Sequence, residues 1–207
     1  MRPSMPEAPA RRRTQAERRA ASRSALLDAA LAVLIEEGYA NLTTRNVAER
    51  AGVSQGTHMH YFPTRARFLA EAVRHVAFKL AAEVREQDEL RARSERRRLE
   101  ELLDRVWEIH TGPVFQATME LWVAARTDPE LRAEMDEVQR DVTRMVGRVA
   151  AELFPELMAK AHAGEVLELG MATMRGLAML RFTSDAADVE RRWRRARAYL
   201  LGLYERD

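Results

Sequence analysis

Apolar residues recur along the chain at intervals of three and four positions, and almost no segment alternates as a β-strand does. This period indicates amphipathic α-helices. Nine such segments follow one another, separated by breaks that include Gly38, Gly52, Pro63, Pro113 and Pro129. The pattern predicts an all-α protein of about nine helices.

Two of the predicted helices are short and lie on either side of one glycine. Thr43 or Thr44 can cap the first, which runs through Arg50, and Gly52 supplies a sharp turn. Ser54 can cap the second, because its hydroxyl accepts hydrogen bonds from the free amides of the next turn. Two short helices joined in this way predict a helix-turn-helix.

The second short helix carries His58, His60 and Tyr61, which could belong to a metal site, a catalytic cluster or a surface that reads another molecule. His58 and His60 are two residues apart, and on a helix such side chains point in directions that differ by about 200°. The two histidines therefore cannot hold one ion. The five histidines are scattered, cysteine is absent, and the chain has neither a GxSxG elbow nor a glycine-rich phosphate loop. We therefore predict no metal site, no cofactor and no catalytic residue.

A reading surface fits this helix better. If Val53, His58 and Phe62 turn inward, the opposite side is exposed and can lie in the major groove of DNA. Gln55 then offers the donor and acceptor pair that matches adenine. Gly56 permits close approach of the backbone to phosphate. The exposed side comprises Gln55, Gly56, Thr57, Met59, His60 and Tyr61.

Charge is distributed unevenly, although the net charge is only +2. Residues 1–25 hold seven arginines against two glutamates, a net charge of +5, whereas the rest of the chain is close to neutral. A basic arm of this kind suits a partner rich in phosphate. A general preference for arginine is the alternative, because Lys79 and Lys160 are the only lysines.

The stretch TTRNVAERAGVSQGTHMHYFPTRARFLAEAV, residues 43–73, resembles the signature of the TetR family of bacterial transcriptional regulators. The resemblance is specific over residues 24–75; beyond them only length, helix count and the paired terminal helices agree. It implies a flexible basic arm (1–16), a three-helix DNA-binding domain (17–63) and a larger effector-binding and dimerisation domain (64–207).

Two positions depart from the family pattern. His58 stands where an apolar residue is usual, and Met59 stands where a tyrosine usually contacts phosphate. Methionine cannot donate a hydrogen bond, so His60 and Tyr61 are the candidates to replace that contact. For His58 we favour a core histidine hydrogen-bonded to the backbone over a pH sensor.

The resemblance implies a homodimer that binds a nearly palindromic double-stranded operator and represses transcription until a small, largely apolar molecule releases it. An activator, or a DNA binder without an effector, is the second possibility, and an enzyme that uses an apolar cavity is the third. The residues predicted to contact DNA are Thr44, Arg45, Ser54, Gln55, Gly56, Thr57, His60, Tyr61 and Arg65.

The same resemblance places the effector site among helices four to eight. His110 and Arg175 are the polar groups that we expect to orient a ligand, while the apolar candidates could equally fill a core. The predicted ligand-binding residues are Phe78, Trp107, His110, Phe115, Met119, Trp122, Met145, Met171 and Met174.

The last helix carries apolar residues at spacings of four, three, four and three, which predicts a seam for a partner helix. The helix before it is apolar on nearly all sides. Two such pairs would form a four-helix bundle across a dimer. The predicted interface residues are Val189, Trp193, Ala196, Leu200 and Leu203.

No apolar run approaches the roughly 18 residues that a membrane span requires. The N-terminal segment MRPSMPEAPARRR also lacks the apolar centre of a signal peptide. From these features we expect a cytoplasmic protein with no membrane contact.

Overall fold

The computed structural model describes residues 14–85 and 94–204. In these ranges the chain forms ten α-helices and one 3₁₀ turn, and no strand, which confirms the all-α class. The helices are α1 (Gln15–Glu37), α2 (Thr44–Ala51), α3 (Gln55–Tyr61), α4 (Arg65–Arg85), α5 (Glu95–Thr111), α6 (Pro113–Ala125), α7 (Pro129–Leu153), α8 (Pro155–Met158), α9 (Ala163–Leu180) and α10 (Ala186–Tyr204), with the 3₁₀ turn at Tyr39–Asn41.

The sequence missed α8, because a single turn is too short to show a period. The predicted arm, residues 1–16, falls mostly outside the described residues. Of its residues, Thr14 caps α1 through a reciprocal pair of hydrogen bonds with Glu17. Helix α1 therefore begins at Gln15, inside the predicted arm.

Side-chain caps fix the ends of the short helices. The Thr43 hydroxyl accepts from the Asn46 N–H at 3.2 Å, which makes Thr43 the cap of α2. Gly52 adopts a left-handed conformation with φ 66°, which a glycine reaches without steric cost. The Ser54 hydroxyl accepts from the Thr57 N–H at 3.2 Å and begins α3. These caps set the direction of α3 relative to α2.

One hydrophobic core joins the helix-turn-helix to the rest of the chain. It includes Leu27 of α1, Val47 of α2, Phe68 of α4, Leu121 of α6 and Leu131 of α7, each no more than 2% exposed. Burial of one such side chain stabilises the fold by about 1.5–3 kcal/mol. Helix α1 packs on α6 and α4 packs on α7, so the helix-turn-helix is joined to the larger unit through α1 and α4.

Helix α4 extends from this core along α7. Ion pairs fix its position: Arg74 contacts Glu71 at 2.5 Å and Asp141 of α7 at 2.8 Å. Glu71 also pairs with Arg23 of α1 at 2.6 Å. The middle of α4 is thus tied both to α1 and to α7.

A second hydrophobic core lies between α5, α9 and α10. The Trp107 and Trp193 rings stack with centroids 4.8 Å apart, and the Trp107 Nε1–H donates to Glu190 at 2.9 Å. Among the described residues, α10 packs chiefly on α9 and α5. The periodic seam of α10 is therefore occupied within one chain.

This packing corrects the predicted dimer interface. Val189, Trp193 and Leu200 are at most 3% exposed in the single chain, and Ala196 and Leu203 are half-buried against the same core. A spacing of four and three identifies a helix that packs on another helix, but it does not distinguish a partner's helix from one in the same chain. Val189, Trp193 and Leu200 are therefore covered within the chain, whereas Ala196 and Leu203 keep part of their surface exposed.

Candidate DNA-binding face and ligand cavity

Helix α3 turns one side inward and leaves the other exposed. His58 is 1% exposed and Phe62 is 3% exposed, and both pack near Phe68. Val53 is half-buried against the same core. The inward side predicted from the sequence is therefore the inward side of the structure.

The residues predicted to contact DNA lie around the outer side of α3 and the start of the neighbouring helices. Met59, which is not one of the nine, lies beside them on the outer side of α3. It is 69% exposed and has no polar group that could contact phosphate. Thr57 and Tyr61 are half-buried, and the Thr57 hydroxyl lies 2.9 Å from that of Ser54. The exposed members are Thr44, Arg45, Ser54, Gln55, Gly56, His60 and Arg65. We refer to all nine predicted residues as the reading face.

Arg65 is positioned by the 3₁₀ turn. Its guanidinium lies 4.7 Å from the centre of the Tyr39 ring and donates to the Tyr39 carbonyl at 3.3 Å. Arg45, by contrast, pairs with Glu49 on its own helix, at 2.9 Å, and both side chains are largely exposed. Exposed pairs of this kind are weak, so Arg45 is available to a phosphate at little cost.

His58 departs from the expectation for a core histidine. The expected hydrogen bond to the backbone is absent: both ring nitrogens are buried and have no partner in the described part of the chain. The ring meets the edge of Phe68, with centroids 4.4 Å apart. Burial lowers the pKa of His58, so the ring is held neutral among aromatic side chains.

A cavity of about 220 Å³ lies between α4, α5, α6, α7 and α9. Its walls are almost entirely aliphatic and aromatic. Val76 and Leu80 contribute from α4, and Val106 from α5. Val142 and Val149 contribute from α7. Such a space is suited to a small apolar molecule.

Six of the nine predicted ligand residues line this cavity: His110, Phe115, Trp122, Met145, Met171 and Met174. Three do not, and they correct the prediction. Phe78 is 41% exposed, because it lies on the side of α4 that faces away from α7. Trp107 turns instead toward Trp193 of α10, and Met119 is buried without reaching the cavity.

Polar groups gather at one end of the cavity. The His110 Nδ1–H donates to the Val106 carbonyl at 2.7 Å, and burial lowers the pKa of His110 to about 4. Arg175 lies 5.4 Å from the centre of the Trp122 ring. With its amide oxygen facing Arg175, Gln139 accepts from both Nη atoms at 3.1 and 3.2 Å. A neutral histidine and a cation therefore share this end.

Sequence reasoning missed Gln139 and most of the aliphatic wall. Gln139 lies in a strongly charged helix, where a single amide gives no signal. The valines and leucines follow the same helical period whether they face a neighbouring helix or an empty space. Only the packing of whole helices distinguishes the two cases.

A separate apolar surface remains exposed on α9 and α10. Leu169, Met179, Phe182 and Tyr199 are each at least half exposed. Residues 169, 172, 176 and 179 recur at spacings of three and four, so they follow one side of α9. We call this surface the α9–α10 face; it comprises Leu169, Ala172, Gly176, Met179, Phe182 and Tyr199.

In the described ranges no helix combines the length and the hydropathy that crossing a membrane requires. The same residues contain no group of three or more His, Asp or Glu side chains placed to hold a metal ion.

A capped helix-turn-helix with an exposed second helix is an arrangement by which transcription regulators dock on DNA, and here it is packed on a helical unit with an apolar cavity. Residues 26–72 match the family described as "Bacterial regulatory proteins, tetR family". The chain is 32% identical over 182 residues to the HTH-type transcriptional regulator CymR of Pseudomonas putida, covering 82% of this chain and 83% of CymR. The protein belongs to the TetR family.

Solved structures share the fold of this chain. A transcriptional regulator from Rhodococcus sp. RHA1 superposes with a TM-score of 0.67 at 25% identity, over 88% of this chain and 95% of the other. The multidrug binding protein EbrR, solved in complex with ethidium, has a TM-score of 0.62 at 24% identity, over 86% of this chain and 98% of EbrR.

Proposed function

We propose that this protein is a homodimeric repressor that binds a nearly palindromic operator and leaves it when a small, largely apolar molecule enters the cavity. Residues 17–63 would contact DNA, and residues 64–207 would hold the ligand and the dimer interface. One observation carries the proposal: α4 packs in the core beneath the reading face near Phe68 and forms the cavity wall from Val73 to Val84.

On the DNA, the members of the reading face have two roles. Gln55, Thr57 and His60 read base edges from α3 in the major groove. Contacts to backbone phosphates come from Thr44, Arg45, Tyr61 and Arg65, while Ser54 holds the start of α3 and Gly56 permits close approach. The basic residues before α1 add contacts that weaken steeply with salt.

Two substitutions separate these roles. Gln55→Ala should cost about 1–3 kcal/mol on the specific operator and relax the preference at one base pair. Arg65→Ala should weaken specific and random duplexes alike and reduce the salt slope by about one unit per half-site. Fluorescence anisotropy on both duplexes at several salt concentrations measures the two effects. Equal losses on both duplexes for Gln55→Ala would remove α3 as the reading helix.

The second subunit covers the α9–α10 face in this proposal. Two copies related by a two-fold axis place two reading faces on successive half-sites, which lie about 34–36 Å apart in a helix-turn-helix dimer. Gly176 and Ala172 would let the two α9 helices approach closely, because their side chains are small.

Release follows from movement of α4. A ligand that presses on Val76 or Leu80 tilts the helix and changes the separation of the two α3 helices. His75 and Phe78 do not take part in this contact: His75 pairs with Asp28 at 3.1 Å, and Phe78 faces away from the cavity. A ligand shifts the equilibrium only by its difference in affinity for the two shapes, which commonly amounts to about 1–3 kcal/mol.

Reciprocal binding tests the release mechanism. Operator DNA should weaken binding of the ligand by the same factor by which the ligand weakens binding of the operator. Calorimetry at one salt concentration measures both factors. Tight occupation of the cavity with unchanged operator affinity would exclude release by that ligand and favour a DNA binder without an effector.

Catalysis is the weaker use of this cavity, although it holds a histidine with a strongly lowered pKa. The His110 Nδ1–H is committed to a backbone carbonyl, and the Thr118 hydroxyl donates to the Val114 carbonyl at 2.9 Å. Among the described lining residues there is no carboxylate. These groups can hold a ligand, but they do not form a nucleophile with a base and an orienting partner.

A further inference from the structure

Arg175 is a cation at the end of an apolar cavity, and no carboxylate of residues 14–85 or 94–204 forms an ion pair with it. Its residue is half-buried, and its Nε–H is buried without a hydrogen-bond partner in the described part of the chain. The Gln139 oxygen accepts from the two Nη atoms, but an amide carries no charge. The guanidinium remains protonated, since arginine does not lose its proton in proteins.

Two other half-buried arginines are neutralised by carboxylates. Arg74 pairs with Glu71 and Asp141, and Arg197 pairs with Asp104 at 2.8 Å. Removal of a charge from water without a partner is costly, so an unneutralised arginine in this position favours an incoming anion.

The guanidinium of Arg175 identifies the anion. Arg175 lines the cavity, and the parallel N–H groups of a guanidinium match the two oxygens of a carboxylate. The other titratable residues that line the cavity are His110 and Tyr204. Burial lowers the pKa of His110 to about 4 and raises that of Tyr204 to about 12, so both are neutral at pH 7. Neither residue competes with the carboxylate for Arg175.

The remaining walls specify the rest of the ligand. They are formed by valines, leucines and methionines, which favour an apolar body. A cavity of about 150 Å³ is known to accept one benzene ring. The volume of about 220 Å³ therefore accommodates one ring with a short substituent, or an alkyl chain of similar size.

We propose that the cavity binds a small organic monocarboxylate, with the carboxylate paired to Arg175 and its apolar body packed between α4, α5 and α7. This ligand class rests on the ligand site of the proposed function. It defines a polarity for the bound molecule, with the charged end toward Trp122 and Arg175 and the apolar end toward Leu80 and Val149.

Isothermal titration calorimetry on the full chain without DNA tests the ligand class. The probes are 4-methylbenzoate and hexanoate, with the neutral 4-methylbenzamide and the cationic 4-methylbenzylamine as matched controls. The carboxylates should bind at least about 10-fold more tightly than the amide, because a charge-assisted pair replaces a neutral contact. The amine should not bind. An amide or amine that binds as tightly as the carboxylates, or no binding by either carboxylate at millimolar concentration, would overturn the proposal.

Substitution of Arg175 provides a second test of the proposed ligand class. Arg175→Met keeps an unbranched but shorter side chain and removes the charge, and it should weaken carboxylate binding about 10- to 100-fold while leaving amide binding unchanged or stronger. Arg181→Met, at the exposed end of the same helix, should have no effect. Equal carboxylate affinity in wild type and Arg175→Met would overturn the assignment, and if Arg175→Met does not fold, the probe series on wild type decides.

The ligand class and the release mechanism fail separately. Carboxylate binding that leaves operator affinity unchanged would preserve the ligand class and remove release by that ligand. The opposite result is release of the operator by a neutral apolar molecule that binds wild type and Arg175→Met equally. That result would support the proposed repressor function and contradict the proposed carboxylate ligand.

Discussion

The carboxylate of Glu120 accepts a hydrogen bond from the backbone N–H of Tyr39 at 2.7 Å. Glu120 lies on α6, two residues before Trp122 of the cavity wall, whereas Tyr39 belongs to the turn before α2. The Tyr39 ring and carbonyl in turn hold the Arg65 guanidinium. A polar connection therefore runs from the cavity helix to a residue of the reading face, in addition to the apolar connection through α4.

Replacing His58 should stabilise the protein. Its two ring nitrogens are buried without partners, and an unsatisfied buried polar group costs about 1–3 kcal/mol. His58→Leu removes this cost at similar volume, so the free energy of unfolding in a urea titration should rise by about 1–2 kcal/mol. His60→Leu, on the exposed side of the same helix, provides the comparison and should change it little. A loss of stability in His58→Leu would show that the ring has a partner in solution.

Stability should fall as the pH is lowered from about 6.5 to about 4. The pKa of His110 is lowered from 6.5 to about 4 by burial, so the unfolded chain takes up a proton in this window and the folded chain does not. Protonation thus favours unfolding, by up to about 3 kcal/mol for this one group at the acid end. His110→Gln should show a shallower decrease in urea unfolding measured across this range. Identical slopes for the two proteins would mean that His110 is protonated in the fold.

The sequence predicted the helix-turn-helix better than it predicted the cavity, for a physical reason. Thr43, Gly52 and Ser54 act on their own neighbours, so their effect can be derived from adjacent residues. The contacts of Phe78 and Trp107 depend instead on how α4 and α5 are rotated against helices distant in sequence. The same limit explains why the seam of α10 was assigned to a partner subunit.

Substitutions on α9 and α10 should separate folding from dimerisation. Trp193 is stacked on Trp107 inside the chain, so Trp193→Ala should lower the free energy of unfolding by about 3–5 kcal/mol. Met179→Glu places a charge on the α9–α10 face and should give folded monomers, with the same helix content as wild type by circular dichroism. Analytical ultracentrifugation at micromolar concentration measures the association. Dimers that persist in both Met179→Glu and Leu169→Glu would place the interface elsewhere.

Breaking the contact between Glu120 and Tyr39 should weaken the coupling between ligand and operator without weakening either binding site. In Glu120→Ala the Tyr39 amide loses its acceptor, so the turn that supports Arg65 no longer follows movements of α6. The ligand should bind with unchanged affinity, because Glu120 is not part of the cavity wall. The coupling free energy between ligand and operator should decrease by about 0.5–2 kcal/mol. The ligand should therefore weaken operator binding by a factor that is roughly 2- to 30-fold smaller than in wild type.

Glu137→Ala, an exposed substitution on α7, controls for the loss of one surface charge. The measurement is operator affinity by fluorescence anisotropy, with and without a saturating carboxylate that calorimetry has shown to bind. Glu120→Gln refines the test, because its amide oxygen can still accept from Tyr39 and should retain most of the coupling. If Glu120→Ala and wild type respond to the ligand by the same factor, α4 alone transmits the signal and the polar connection through Tyr39 serves only to hold Arg65.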